Sequence, residues 1–163
     1  MIAAAELGGF FAAHAIWCVS DGDLLIPILA YATPDGERQM ERLSHDDIEI
    51  AVEAGVKRLE ANEMEADDGV LVFDGCVTLD ETSHDAIILE HRAYLWPESK
   101  LVVAVPYTPL ESGQFKVRRP ILLAYENCDD CDADMAMRSF FHGVAEHEKG
   151  AEVWKNAFDE GAS

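Results

Sequence analysis

Toward the end of the 163-residue sequence, Cys128 and Cys131 are followed by His142 and His147, a C-x2-C-x10-H-x4-H spacing. Two thiolates and two imidazoles can close a tetrahedral zinc shell, and each pair spacing falls in the range of structural zinc sites. Two features oppose this chemistry. The central gap is shorter than a zinc finger's. On one continuous helix the step from His142 to His147 also turns about 500°, which leaves the two rings roughly 140° apart around the axis. The leading expectation is therefore no cofactor, with zinc at Cys128, Cys131, His142 and His147 as the alternative.

As a redox pair at a helix start, Cys128 and Cys131 would gain thiolate character from the helix dipole. Asp129, Asp130, Asp132 and Asp134 work against it, because nearby carboxylates disfavour another negative charge. A helix entry capped by Asp130 or Asp132 is the simpler reading. The same aspartates could attract a hard cation, yet the central glycine and late glutamate of an EF-hand loop are missing.

The remaining histidines offer less. His45-Asp46 and His84-Asp85 are adjacent pairs, which seldom make the imidazole–carboxylate contact of a hydrolase, and no Gly-x-Ser-x-Gly elbow supplies a nucleophile. His45 reads as an early residue of a capped helix and His84 as part of a polar hairpin loop. His91 alternates with Ile87, Leu89 and Leu95 on an apolar face, which predicts a buried imidazole with one hydrogen bond. There is no GxGxxG, Walker or HExxH motif.

The elements that must position these groups follow from periodicity. Residues 1–14 read as an Ala-rich helix weakened by Gly8-Gly9. Residues 15–20 and 24–33 are apolar runs joined by Asp21-Gly22, the pattern of a tight hairpin. A helix over 44–61, capped by Ser44 with Asp47 three residues on, carries Ile48, Val52, Gly55 and Leu59 on one stripe. Residues 69–125 change period to an antiparallel meander with short turns. Asp74-Gly75 fits either a turn or a bulge within one strand, and Pro120 marks an edge or bulge. After Glu126 the helical period returns, with Gly143 or Lys149-Gly150 able to split the helix in two. The predicted fold class is α+β: one domain over 1–163, a mostly antiparallel sheet of about six or seven strands covered by helices, with a C-terminal helix or helix pair. Cys18 and Cys76, inside apolar strand-like runs, are expected in the core.

Composition bounds the function. Thirty-two acidic against twelve basic side chains give a net charge of −20, while 49% hydrophobic content with three Trp, four Tyr and seven Phe is enough to fold. A surface this negative repels phosphate backbones and anionic lipids, so neither nucleic acid nor membrane is an expected partner. The longest apolar candidate for a span, 7–19, is too short and contains His14. The first basic residue is Arg38, unlike the basic start of a secretory signal, and four cysteines are few for a disulfide scaffold, so the expected location is cytoplasmic.

By segment the net charge is −3 over 1–33, −8 over 34–68, −2 over 69–125 and −7 over 126–163. The charge thus follows the helices, and the meander is nearly neutral. Acidity with only five lysines also suits adaptation to high salt, where charge serves hydration alone. The functional reading is a non-enzymatic interaction protein, akin to an inhibitor, immunity protein or chaperone, whose acidic helical side binds a basic protein surface. Its expected face comprises Glu41, Asp46, Asp47, Glu49, Glu53, Glu60, Asp129, Asp130 and Asp132, with Tyr94 and Trp96 as aromatic anchors. A homodimer through the near-neutral sheet edge is compatible with the same charge pattern. The rival class is a small metal-binding protein or enzyme built on the C-terminal Cys and His residues.

Overall fold

The computed structural model describes residues 1–128 and 131–159. Its first helix, α1 (Ile2–Val19), runs through the segment expected to be the first strand. An unbroken apolar run carries no period that separates strand from helix. Here Ala15, Ile16 and Val19 are all buried at helical spacing, so packing decides for helix. Asp21-Gly22 accordingly ends a helix and does not turn a hairpin. α1 is 18 residues long with a mean hydropathy of 1.5, long and apolar enough by composition to cross a membrane, contrary to the expectation that no such stretch exists. Most of its surface is sheathed by protein, as in a buried core helix.

The hairpin comes one segment later, as β1 (Ile28–Ala32) and β2 (Arg38–Arg42). Gly36, at φ +83°, closes the turn by donating its N–H to the Thr33 carbonyl. Helix α2 (Ile48–Ala61) is capped by Asp47, which accepts the Glu49 N–H at 2.9 Å, so the cap sits three residues later than Ser44. Then follow β3 (Asp68–Leu79), β4 (Thr82–Ala93), β5 (Lys100–Thr108), the short β6 (Lys116–Val117) and β7 (Ile121–Glu126). β3 and β4 pair without a break through Asp74-Gly75 and turn on Asp80 and Glu81, both left-handed, so His84 lies in a strand and not in the loop. β6 and β7 pair in succession with the same edge of β5, separated by the chain around Pro120.

All named strands pair antiparallel, in the order β2-β1-β3-β4-β5 with β6 and β7 beyond β5. The result is the expected α+β fold. Helices α3 (Ala133–Glu146) and α4 (Glu148–Ala157) form a C-terminal pair that breaks at His147, neither at Gly143 nor at Gly150.

The sheet is loaded on both faces. Ile28, Ala30, Val70, Val72, Ile87, Leu89 and Leu101 point into the core shared with α1, α3 and α4. The alternate residues Leu29 and Leu71 pack with Leu59 of α2, so α2 lies on the opposite face. Ile88, Ala86, Val102 and Ala104 extend that second apolar layer. His91 is fully buried against α1 and bonded once, from Nδ1 to the Leu101 carbonyl at 2.9 Å, as its strand position predicts. Leu95 is fully outside this face because β4 ends at Ala93. Cys76 is exposed on β3 and Cys18 half-buried, so neither is the core residue expected.

Candidate functional site

The acidic residues proposed as one face do not share one. Glu41, Asp46, Asp47, Glu49, Glu53 and Glu60 are exposed on β2, α2 and the turn before it. Asp132 caps α3, accepting the Met135 N–H at 2.8 Å, and α3 packs on α1 across the sheet from α2. Asp129 and Asp130 lie outside the described residues. The helical charge is therefore divided by the sheet between two flanks, a correction that follows from the face α2 covers. Within the α2 flank, Glu41 is paired with Arg58 at 2.8 Å and Glu60 approaches Arg92 at 3.7 Å, while Asp47 serves its cap. Among the described residues no ion pair engages Asp46, Glu49 or Glu53.

The aromatic anchors also divide. The Tyr94 hydroxyl donates to the Leu59 carbonyl and ties the end of β4 to the last turn of α2. Burial pushes its pKa up to about 12, so it is a structural strut and not an exposed anchor. Trp96, in the turn after β4, remains 42% exposed.

The four zinc ligands considered from the sequence, Cys128, Cys131, His142 and His147, are separated by α3 itself. Cys128 and Cys131 precede the helix, whereas His142 lies in its last turns and His147 at its end. At about 1.5 Å per residue that helix holds its two ends about 20 Å apart. The Cys128 thiol donates to the Glu126 carbonyl at 3.2 Å, and burial raises its pKa. His142 sits 3.3 Å from Glu6, and His147 sits 3.2 Å from His14. One ion cannot meet all four side chains, which corrects the alternative zinc assignment.

A different surface assembles where α1 gives way to β1. Asp21-Gly22-Asp23 turns the chain, and the next residues alternate: Leu25 is buried, while Leu24 is 83% and Ile26 43% exposed. The Leu43 N–H donates to the Pro27 carbonyl at 2.8 Å and fixes this segment to the end of β2. Leu24 and Ile26 thereby form a ridge between two clefts. One, of about 270 Å³, includes Leu43, Asp46, Ile48 and Ala51 in its walls. The other, of about 380 Å³, includes His14, Trp17, Cys18, Asp21, Asp23 and Arg42. Aliphatic side chains thus stand in the open beside Asp21, Asp23 and Asp46, with exposed Asp47 and Glu49 continuing the anionic rim along α2.

The second cleft carries a histidine pair whose proton positions follow from a helix cap. His147 Nδ1 accepts the Gly150 N–H at 2.9 Å, so the neutral ring holds its proton on Nε2. That N–H donates to His14 Nδ1, leaving the His14 proton on Nε2, a buried atom without a partner among the described residues. Burial lowers both pKa values. Burial also raises that of the Cys18 thiol.

Sequence reasoning misses this ridge because Leu24 to Ile26 reads as the start of the strand over 24–33, whereas the strand begins only at Ile28. The Asp-Gly-Asp turn followed by an aliphatic triplet and proline was the available signal. No family model, curated protein or solved structure matches the chain.

Proposed function

We propose that the chain is a non-enzymatic interaction protein, comparable in role to an inhibitor, immunity protein or chaperone, and that its binding end is the ridge formed by Leu24 and Ile26 with Ile48. The carrying observation is that these three exposed aliphatic side chains line one cleft with Asp46. Burying one such side chain contributes roughly 1.5–3 kcal/mol, enough for a few anchors to determine affinity. The surrounding carboxylates favour a partner that brings lysine and arginine, and they accelerate its approach at low salt. A basic amphipathic segment, with apolar residues on one side and cations on the other, satisfies both demands. Two copies docking through this end would press like charges together, which favours a foreign partner over self-association there.

The test uses a helical peptide with leucines at i, i+3, i+4 and i+7 and lysines elsewhere, beside a scrambled peptide of equal charge. Calorimetry is expected to show tighter binding of the amphipathic peptide and at least tenfold weaker binding, about 1.4 kcal/mol, in the Leu24→Ser/Ile48→Ser variant. Equal binding of both peptides, unchanged by that variant, would reduce the interaction to bulk charge and end the reading.

A further inference from the structure

α1 and α3 cross at unusually short range. A Cβ on Gly9 would stand 1.7 Å from the Phe140 carbonyl oxygen, and one on Gly143 would stand 1.9 Å from that of Glu6. Ser139 adds a hydrogen bond from its hydroxyl to the Ile2 carbonyl at 2.8 Å. The backbones are in contact, so side chains flanking the crossing are held in fixed relation. On one side of it, Glu6 of α1 meets His142 and Glu146, which lie one helical turn apart on α3.

His142 Nδ1 is 3.3 Å from Glu6 Oε1 and 3.5 Å from Glu146 Oε1, and one donor atom from each of the three residues lies within 4.8 Å of the others. Donors that each stand about 2.1 Å from one tetrahedral ion lie about 3.4 Å from one another. The 3.3 and 3.5 Å separations from His142 match such an edge. We infer that Glu6, His142 and Glu146 form a binding site for a divalent first-row transition ion such as Zn²⁺ or Co²⁺, distinct from the cysteines before α3. One imidazole and two carboxylates suit that class. Ca²⁺ would need six or more oxygen ligands, and Mg²⁺ an octahedral oxygen shell. Three protein ligands leave a fourth position for water, and His142 and Glu146 are exposed enough to admit it.

Arg38 of β2 is the competitor. Its Nη2 is 3.1 Å from Glu146 Oε1 and 3.6 Å from Glu6 Oε1, so without a metal the guanidinium supplies the positive charge between the carboxylates. The same guanidinium carbon stands 4.6 Å from the Phe10 ring centroid, an aromatic surface on which Arg38 can remain when an ion takes the oxygens.

Titration of the intact protein with Co²⁺, followed by visible absorption and repeated with Zn²⁺ by calorimetry, tests the site. One Co²⁺ per chain is expected, with ligand-field bands and no thiolate-to-metal charge transfer. His142→Ala and Glu146→Gln, both exposed positions that leave the helix crossing intact, are each expected to weaken binding at least about tenfold. Cys128→Ser is expected to leave it unchanged, and Arg38→Met to tighten it. An ion-pair network with no metal function predicts the opposite pattern: no stoichiometric Co²⁺, or binding indifferent to His142 and Arg38. A thiolate charge-transfer band lost in Cys128→Ser would also overturn the assignment.

Discussion

The two faces of the sheet are built to different standards. On the α1 face three helices close over the strands, glycines bring α1 and α3 into backbone contact, and even the buried histidine has a fixed hydrogen bond. On the other face a single amphipathic helix covers β1 and β3, and carboxylates and aliphatic side chains stand in solvent beside it. Close packing tolerates almost no change in volume, whereas exposed positions change stability by only about 0.5 kcal/mol. The first face is closed by tight packing, and the second, beyond its buried layer of Leu29, Leu59 and Leu71, is at liberty to present a binding surface.

The sharpest way to break this contrast is Gly143→Ala. The new methyl group would collide with the Glu6 carbonyl, a backbone atom that cannot rotate aside. A loss of about 4 kcal/mol or more is expected in urea denaturation, against no more than about 0.5 kcal/mol for Glu53→Ala on the exposed side of α2. Similar small losses in both would show that the two faces do not differ.

Next comes pH. Burial holds His91 neutral and lowers its pKa to about 4 from an ordinary 6.5. Below pH 6.5 the unfolded chain binds a proton that the folded chain refuses, so unfolding becomes easier as pH falls. The contribution is complete above pH 6.5 and lost by about pH 4, amounting to about 3 kcal/mol. Urea midpoints measured across that window should show this slope, and His91→Gln should reduce it, leaving the smaller contribution of His14 and His147, whose pKa values burial also lowers. An equal slope in the variant would assign the acid sensitivity to other groups.

A smaller effect belongs to the second face. Tyr94→Phe removes the hydroxyl that reaches the Leu59 carbonyl and is expected to cost about 1 kcal/mol. Hydrogen exchange should locate the loss at the end of α2, leaving α1 and α3 protected.

Much of the fold was legible in the sequence wherever its signals are local. His91 announced itself by alternating with Ile87 and Leu89, Pro120 marked the break between β6 and β7, and the stripe of Val52, Gly55 and Leu59 defined α2. The misread pieces depend on distant partners. Residues 15–20 are apolar throughout, so only the surrounding protein decides between strand and helix. Nothing within α2 states which side of the sheet it covers, yet that choice splits the acidic residues into two flanks. Glu6 lies 136 residues from His142, and the hint of their meeting was Gly8-Gly9 in a helix that would otherwise avoid glycine. The His142-x3-Glu146 spacing places two potential ligands on one helical side, but a third from another helix is invisible to spacing alone.

The most direct measurement is an amide NMR titration with the basic amphipathic peptide. Shift changes should concentrate at residues 21–27 and 43–51, where the aliphatic ridge meets its anionic rim. Changes spread equally over the acidic surfaces of α3 and α4 would contradict a built docking site and leave only the attraction of net charge.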